Sequence, residues 1–378
     1  LYLIGQAIAE DPNVAFFNPR QGGVVSGEIT VEVTVNDPQD PAIDLDVEVS
    51  TDGGATFDQA SFNAGTLRHT LPWDTTAMTN GSAMLIARVT DTDLNVSSVP
   101  ITVTVNNTDA THMIITAGDI AHCDNTNDAD TANLIGQIIA GTSLPVTVVP
   151  LGDLAYEAGT DEEFANCYDP TWGQHKAITM PVVGNHEYNT PNAQGYYDYF
   201  GAVAAPSNGW YRYELGDWEI YALNSNCGPI GGCGPATPQV EWLRSELAAS
   251  TNVCTLAFHH HPRFTTQTPF NNLAEFWKAM YDFGGDLILS AHAHYYAHSS
   301  LQDWEGNLDP VMGIRQIIAG TGGRSLHTFP GDTHPNQEVV DNTKYGVVVI
   351  ELSADGYDWQ FRRVGDGAVV YSGSGTCH

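Results

Sequence analysis

Five short apolar runs, each ending in an aspartate, asparagine or histidine, constrain this chain more than any other feature. They read MIITAGD (113–119), VTVVPLGD (146–153), ITMPVVGN (178–185), CTLAFHH (254–260) and DLILSAH (286–292). Unbroken apolar runs of this length, alternating with helical segments, are the buried strands of an α/β domain. In open α/β sheets ligands gather in the crevice outside the carboxyl ends of the strands, so five such ends can build one site. Asp, Asn and His without cysteine make a mixed oxygen and nitrogen donor set, which suits iron, zinc or manganese better than calcium. Two cations about 3.5 Å apart need a bridging carboxylate, terminal ligands and an open position for a hydroxide.

Between the runs, NLAEFWKAMYDFGG spaces Leu273, Phe276, Trp277, Met280 and Tyr281 as one helical face closed by glycines. TPQVEWLRSELAAS does the same with Val240, Leu243 and Leu247. DNTNDAD (124–130) has part of a calcium-loop spacing but lacks the glycine, and is expected to be a solvated turn. The last segments, RQIIAG, YGVVVIEL, YDWQFRRV and AVVYSG, return to strands.

Before Met113 the rhythm is different. EITVEVTV (28–35) alternates with Ile29, Val31, Val33 and Val35 on one face, IDLDVEVS (43–50) repeats the pattern, and STDGGATF (50–57) supplies an Asp-Gly turn. With LIARV and ITVTV continuing the series to about Val105, these are half-buried antiparallel strands of a small β-sandwich. STDGGATF also fits an Asp-box, but a single copy reads as a hairpin turn. NNTDATH then reads as a polar linker.

The 378 residues exceed what one core usually sustains, and 42% hydrophobic composition supplies material for two. The net charge of −32 comes from 45 acids against 13 bases, of which three are lysines (Lys176, Lys278, Lys344). Such a balance argues against nucleic acid or an anionic membrane as partner, and means that a local cation must offset the repulsion of any anionic substrate. It fits either adaptation to high salt or an ordinary acidic secreted protein. No apolar run approaches the length that spans a bilayer. Six cysteines (Cys123, Cys167, Cys227, Cys233, Cys254, Cys377) without a CxxC indicate disulfides in an oxidising compartment, with Cys227 and Cys233, which bracket GPIGG, the first pair expected. The chain starts at Leu1 without methionine, and a secreted, extracellular or periplasmic mature product is expected.

Two resemblances add to this. VSGEITVEVTV followed by WDTTAMTNGSAMLIARVTD resembles the bacterial immunoglobulin-like domains appended to secreted enzymes. The strand-end motifs GD (118–119), GDLAY (152–156), GNHE (184–187), HHHP (259–262) and AHAH (291–294) resemble those of the calcineurin-like metallophosphoesterases, and among them the purple acid phosphatases. CYDPTWG, GNHEYNTPNAQGYYDYFG, GTGGRS and SGSGTCH widen that likeness to secreted bacterial members. Together they divide the chain into residues 1–109, an immunoglobulin-like sandwich with an N-terminal extension and linker, and 110–378, an αββα metallophosphoesterase sandwich.

The resemblance implies two metal ions. Asp119, Tyr156 and His294 would hold Fe(III), Asp153 would bridge, and Asn185, His260 and His292 would hold Fe, Zn or Mn. The family's ligand histidine precedes an x-Pro pair, which selects His260 and leaves His259 and His261 as neighbours. Ala121 replaces the histidine of a generic Asp-x-His motif, and in the purple acid phosphatase pattern that change accompanies a tyrosine three residues after the bridging aspartate, here Tyr156. Ala291 departs from the glycine that opens the fifth motif.

His186 is implied as general acid or charge stabiliser. The implied activity is hydrolysis of small phosphate monoesters by in-line attack of a metal-generated hydroxide, with a phosphodiesterase or nucleotidase on the same site as alternative. The alternative of another class is a catalytically silent surface or matrix-binding protein. His259, His261, Arg263 and His298 are candidate pocket residues, although Arg263 could equally pair with a carboxylate and Tyr188 could pack by its ring alone. His122 either lines the pocket or flanks Cys123. The resemblance favours Cys254–Cys377 and Cys227–Cys233, which leaves Cys123–Cys167.

Overall fold

The alternation in EITVEVTV becomes the strand Glu28–Asn36, with Val31 and Val33 fully buried and Ile29 and Val35 only partly so. In the computed structural model, which describes residues 11–25, 27–76, 78–79, 81–105, 111–205, 208–328 and 334–378, this strand belongs to the first of two units, Leu1–Thr108 and Asp109–His378. One sheet of the first unit runs Asn13–Asn18, Glu28–Asn36, Arg68–Asp74, Ser61–Asn63, and the other Val24–Val25, Val96–Val105, Gly81–Thr90, Asp46–Ser50, Asp58–Gln59. Val31, Val33 and Trp73 of one sheet and Val47, Val49, Leu85, Val89 and Val103 of the other share one core, as in a β-sandwich. The STDGGATF hairpin forms, with Glu48 opposite Gln59 and the Asp52 carboxylate accepting from the backbone N–H and hydroxyl of Thr56. The strand expected from Ile43 begins later, at Asp46, because Ala42–Asp44 is a 3-10 turn. The predicted linker falls largely at 106–110 and the N-terminal extension at 1–10, outside the described residues.

The second unit stacks two mixed sheets. The order in one is Val146–Pro150, His112–Ala117, Gly346–Leu352, Gly356–Arg363, Val369–Thr376. The other runs Tyr211–Leu215, Trp218–Ala222, Cys254–Phe258, Leu287–Ser290, Arg315–Ala319, Tyr296–Ser299, Gln337–Asp341. Ile114, Val149, Leu256, Leu289 and Val348 pack between the sheets. The alternate residues of the same strands face outward to helices: Ile115 joins Ile135 of helix Asn127–Gly141, and Ala257 and Ile288 join Leu243 of helix Pro238–Ala249 and Trp277 of helix Ala274–Asp282. Strands covered on both faces explain the unbroken apolar runs. The two expected helices are present, whereas DNTNDAD is a turn only to Thr126 and then starts helix Asn127–Gly141, where Asp128 and Asp130 face the positive end of its dipole.

Cys123–Cys167, Cys227–Cys233 and Cys254–Cys377 are the three disulfides, a content that fits an oxidising compartment. No helix among the described residues is long and apolar enough to cross a membrane.

Candidate metal centre

Strand His112–Ala117 ends at Gly118-Asp119, and its parallel neighbour Val146–Pro150 ends at Gly152-Asp153. Residues 179–182 run beside the latter through bridges Val148–Thr179 and Leu151–Val182 and deliver Asn185 and His186. Across the sandwich, Cys254–Phe258 and Leu287–Ser290 deliver His260 and His292. The chain must turn sharply to aim these side chains inward. Asp119, Asp153, His292 and His294 accordingly have positive φ angles of 58, 51, 64 and 48°. Each costs a non-glycine residue about 1–3 kcal/mol, so their concentration at one place marks a site over-determined by its surroundings.

The turns fit because glycines flank them. A Cβ on Gly184 would lie 2.1 Å from the Asp153 nitrogen, and one on Gly152 2.7 Å from His260 Nδ1. A Cβ on Gly118 would meet that of Ala291 at 2.5 Å, so the methyl group that departs from the fifth motif sits where Gly118 offers no Cβ.

Tyr156 lies at the centre, nearly fully buried. Its hydroxyl is 3.0 Å from Asp119 Oδ1, 3.2 Å from Asp153 Oδ2 and 3.1 Å from His294 Nε2. His260 donates from Nδ1 to the Leu151 carbonyl at 2.8 Å, which leaves Nε2 facing Asn185 Oδ1 at 3.1 Å, Asp153 Oδ2 at 3.2 Å and His292 Nδ1 at 3.2 Å. His294 is oriented the same way, Nδ1 donating to the Ser325 carbonyl at 2.7 Å and Nε2 lying 3.3 Å from Asp119 Oδ1. A carbonyl on the remote ring nitrogen fixes the tautomer that presents a lone pair to a metal. Asp119 Oδ2 is buried and has no hydrogen-bond partner among the described residues. One phenolic proton cannot satisfy two carboxylates and an imidazole, and an orphaned buried carboxylate oxygen is costly. A cation answers both, and the mixed donor set fits one; Asp119, Asp153 and His260 cluster closely enough to share a metal, as do His260, His261 and His292.

Charge balance points the same way. Burial pushes Asp119 and Asp153 up, but the charges of His294 and His260 respectively outweigh it and hold both carboxyls below the usual range. Burial likewise pulls both imidazoles down, yet Asp153 raises His260 to about 9 and Asp119 raises His294. Burial and then the His260 charge lower His292 to about 4, while burial and the two carboxylates push Tyr156 up. The two carboxylates and the two imidazoles thus favour one another's charged forms, and any proton held on Nε2 would have to leave before a cation binds there.

His186 donates from Nδ1 to the Glu157 carbonyl at 2.7 Å, with Nε2 3.9 Å from Asp153 Oδ2 and its ring against Tyr156. Glu187 is buried and clasps the turns: its carboxylate accepts from the N–H groups of Leu154 and Ala155 on one oxygen and of Asp153 and Gly184 on the other. Tyr188 does more than pack, since its hydroxyl accepts from Asn224 Nδ2 at 2.8 Å.

The four lesser candidates separate. His261 stands at the centre, its ring 4.5 Å from that of His292 and its Nδ1 2.8 Å from Ser225 Oγ. His259 is fully buried against Phe276. His298 lies within strand Tyr296–Ser299, between the Tyr296 hydroxyl and Glu338. Arg263 is buried beside Phe264, with Nη1 3.5 Å from the Asn271 carbonyl. The pocket over the centre is lined instead by Arg324, His327 and Gln267, together with Asp153, Tyr156 and His186. His327 stacks on His294 with ring centres 3.7 Å apart. The only trace of these residues in the sequence was GTGGRS, read as context without roles.

Among protein families, the model described as calcineurin-like phosphoesterase matches residues 111–296. The purple acid phosphatase PPD1 isolated from seeds of yellow lupin (Lupinus luteus) is similar in structure, with a TM-score of 0.57 at 16% identity over 97% of this chain and 74% of that one. PhoD is similar with a TM-score of 0.46 at 12% identity, over 96% and 88% of the two chains. A search of curated proteins found no match. The family expected from the strand-end motifs is therefore borne out: the second unit carries a calcineurin-like phosphoesterase domain, and the chain is a phosphoric ester hydrolase.

Proposed function

We propose that this protein is an exported, dinuclear metal-dependent phosphatase of the purple acid phosphatase type that hydrolyses small phosphate monoesters. The observation that carries the reading is the position of the Tyr156 hydroxyl, within 3.2 Å of Asp119, Asp153 and His294 in a buried cluster. In this reading Asp119, Tyr156 and His294 would hold Fe(III), Asp153 would be shared between the two metals, and Asn185, His260 and His292 would hold Fe, Zn or Mn. When bound, the metal pair supplies Lewis acidity toward phosphate oxygens and lowers the pKa of water.

The chain's own residues supply the rest. The Leu151 and Ser325 carbonyls orient two of the imidazoles, and Glu187 holds the loop that carries Asp153. His186 keeps one proton on Nδ1 through the Glu157 carbonyl, so Nε2 is the atom that can deliver a proton to a departing oxygen. Its side chain is 28% exposed, at the boundary between the buried centre and solvent, where a leaving alcohol would stand. Residues 1–109 are proposed as an immunoglobulin-like spacer or wall-binding module, and 110–378 as the catalytic domain.

The test is an assay of metal-reconstituted protein on chromogenic mono- and diesters beside Asp153→Asn. Wild type is expected to cleave the monoester faster than the diester and far above the variant. Equal background rates in the two proteins would overturn the reading.

A further inference from the structure

Among the described residues, Arg324 is the one arginine or lysine lining the pocket. Its backbone N–H donates to the Asp119 carbonyl at 2.8 Å, which ties the residue to the metal-site turn. Its guanidinium carbon lies 4.9 Å from the centre of the Tyr156 ring, and Nη2 is 2.6 Å from Glu157 Oε1. Glu157 follows Tyr156 in the chain, and its own carbonyl receives the His186 proton. The same Oε1 is 3.1 Å from His122 Nε2, while His122 Nδ1 accepts from the Asp124 N–H. The permanent cation of the pocket is therefore paired with a carboxylate whose side chain is 54% exposed.

A pair this exposed contributes little to stability, because water and salt compete with it. A guanidinium matches a phosphoryl group better than it matches a single carboxylate oxygen, since its planar fork donates two parallel hydrogen bonds. In a chain of net charge −32 an approaching phosphate dianion meets net repulsion, which the Arg324 guanidinium offsets at this pocket.

We propose that Arg324 is the phosphoryl-recognition residue of this pocket and that Glu157 is its internal competitor, surrendering the guanidinium when a phosphate dianion binds. Because the exchange trades one carboxylate for a dianion, it favours monoesters over the singly charged diesters. The inference rests on the reading that phosphate esters bind in this pocket, and it sharpens that reading to dianionic substrates.

The two members of the pair are predicted to act in opposite directions, which a structural ion pair cannot do. Titration calorimetry of the metal-reconstituted protein with inorganic phosphate, at fixed ionic strength and with metal content measured for each protein, reads this directly. Arg324→Ala is expected to weaken phosphate binding roughly 10- to 100-fold, the usual range for losing a charged hydrogen bond. Arg324→Lys should fall between, and Glu157→Gln should tighten binding about three-fold or more.

Binding by Arg324→Ala within two-fold of wild type would overturn the assignment, as would weakening in Glu157→Gln or a wild type that binds no phosphate. If Arg324→Ala loses metal, the sign of the Glu157→Gln effect decides. A wild type that binds phosphate with these signs yet cleaves no ester would leave Arg324 assigned and refute the phosphatase reading instead.

Discussion

Gly184→Ala tests how tightly the metal-site turns are nested. The new Cβ would lie 2.1 Å from the Asp153 nitrogen and 2.2 Å from Asp153 Oδ1, where carbon contacts need 3.0 Å or more. Gly184 and Asp153 must therefore separate by nearly 1 Å, and neither end is a flexible side chain that can swing away. The shift pulls at two clasps: the N–H groups of Gly184 and Asp153 both bond to one oxygen of Glu187, and the His186 N–H bonds to Asp153 Oδ1 at 2.8 Å. Overpacking of this kind costs about 1–3 kcal/mol, and weakening two buried hydrogen bonds about 1 kcal/mol each. The expected total of about 3–5 kcal/mol lowers the Tm of a unit this size by roughly 6–20 °C. Displacing the Asp153 carboxylate by about 1 Å should also cost on the order of 100-fold in kcat/KM.

Scanning calorimetry, elemental analysis for bound metal and a chromogenic monoester assay read the three effects. Gly228→Ala, at an exposed position where a Cβ meets nothing within 4 Å, is the matched control and should change none of them. A Gly184→Ala protein with full metal content, unaltered kcat/KM and a Tm within about 2 °C of wild type would refute the nesting argument.

Two further outcomes are expected. Iron on the Tyr156 phenolate should give a visible charge-transfer band that disappears in Tyr156→Phe; a colourless active protein that contains only zinc or manganese would exclude iron without touching the hydrolase assignment. Burial raises the Glu338 carboxyl, but hydrogen bonds from His298 and from Ser300 (Oγ to Oε1, 2.6 Å) outweigh it and hold the pKa at about 2, against an ordinary 4.5. A depressed carboxyl stabilises the fold fully above the unfolded value and loses that contribution as pH falls from about 4.5 through about 2. With the side chain 36% exposed, solvent screening reduces the effect to about 1 kcal/mol, so Glu338→Gln should melt a few degrees below wild type at pH 6 and level with it near pH 2. A constant Tm gap across that range would show that the carboxylate charge plays no part.

Two kinds of information meet in this protein. The five apolar runs were legible because strands covered on both faces must be apolar throughout, and the residues ending them were legible as candidate ligands because metal-binding side chains come from few residue types. Alternation around Val31 and Val33 exposed the first unit for the complementary reason, a sheet with one buried face.

Other features belong to chain segments far apart in sequence. Nothing local to GTGGRS says that Arg324 stands over Tyr156 and against Glu157, because the pairing depends on a return of the chain 167 residues later. Arg263 looked better placed beside HHHP, yet adjacency in a loop does not decide direction, and its guanidinium is buried beside Phe264. Ala291 reads as a lapse in a motif until its methyl group is found against Gly118. The residue types and their order along the strands determined which chemistry this chain can hold. Which side chains face the pocket was decided only by tertiary packing, since direction depends on the turn each residue occupies and on the neighbours that leave it room.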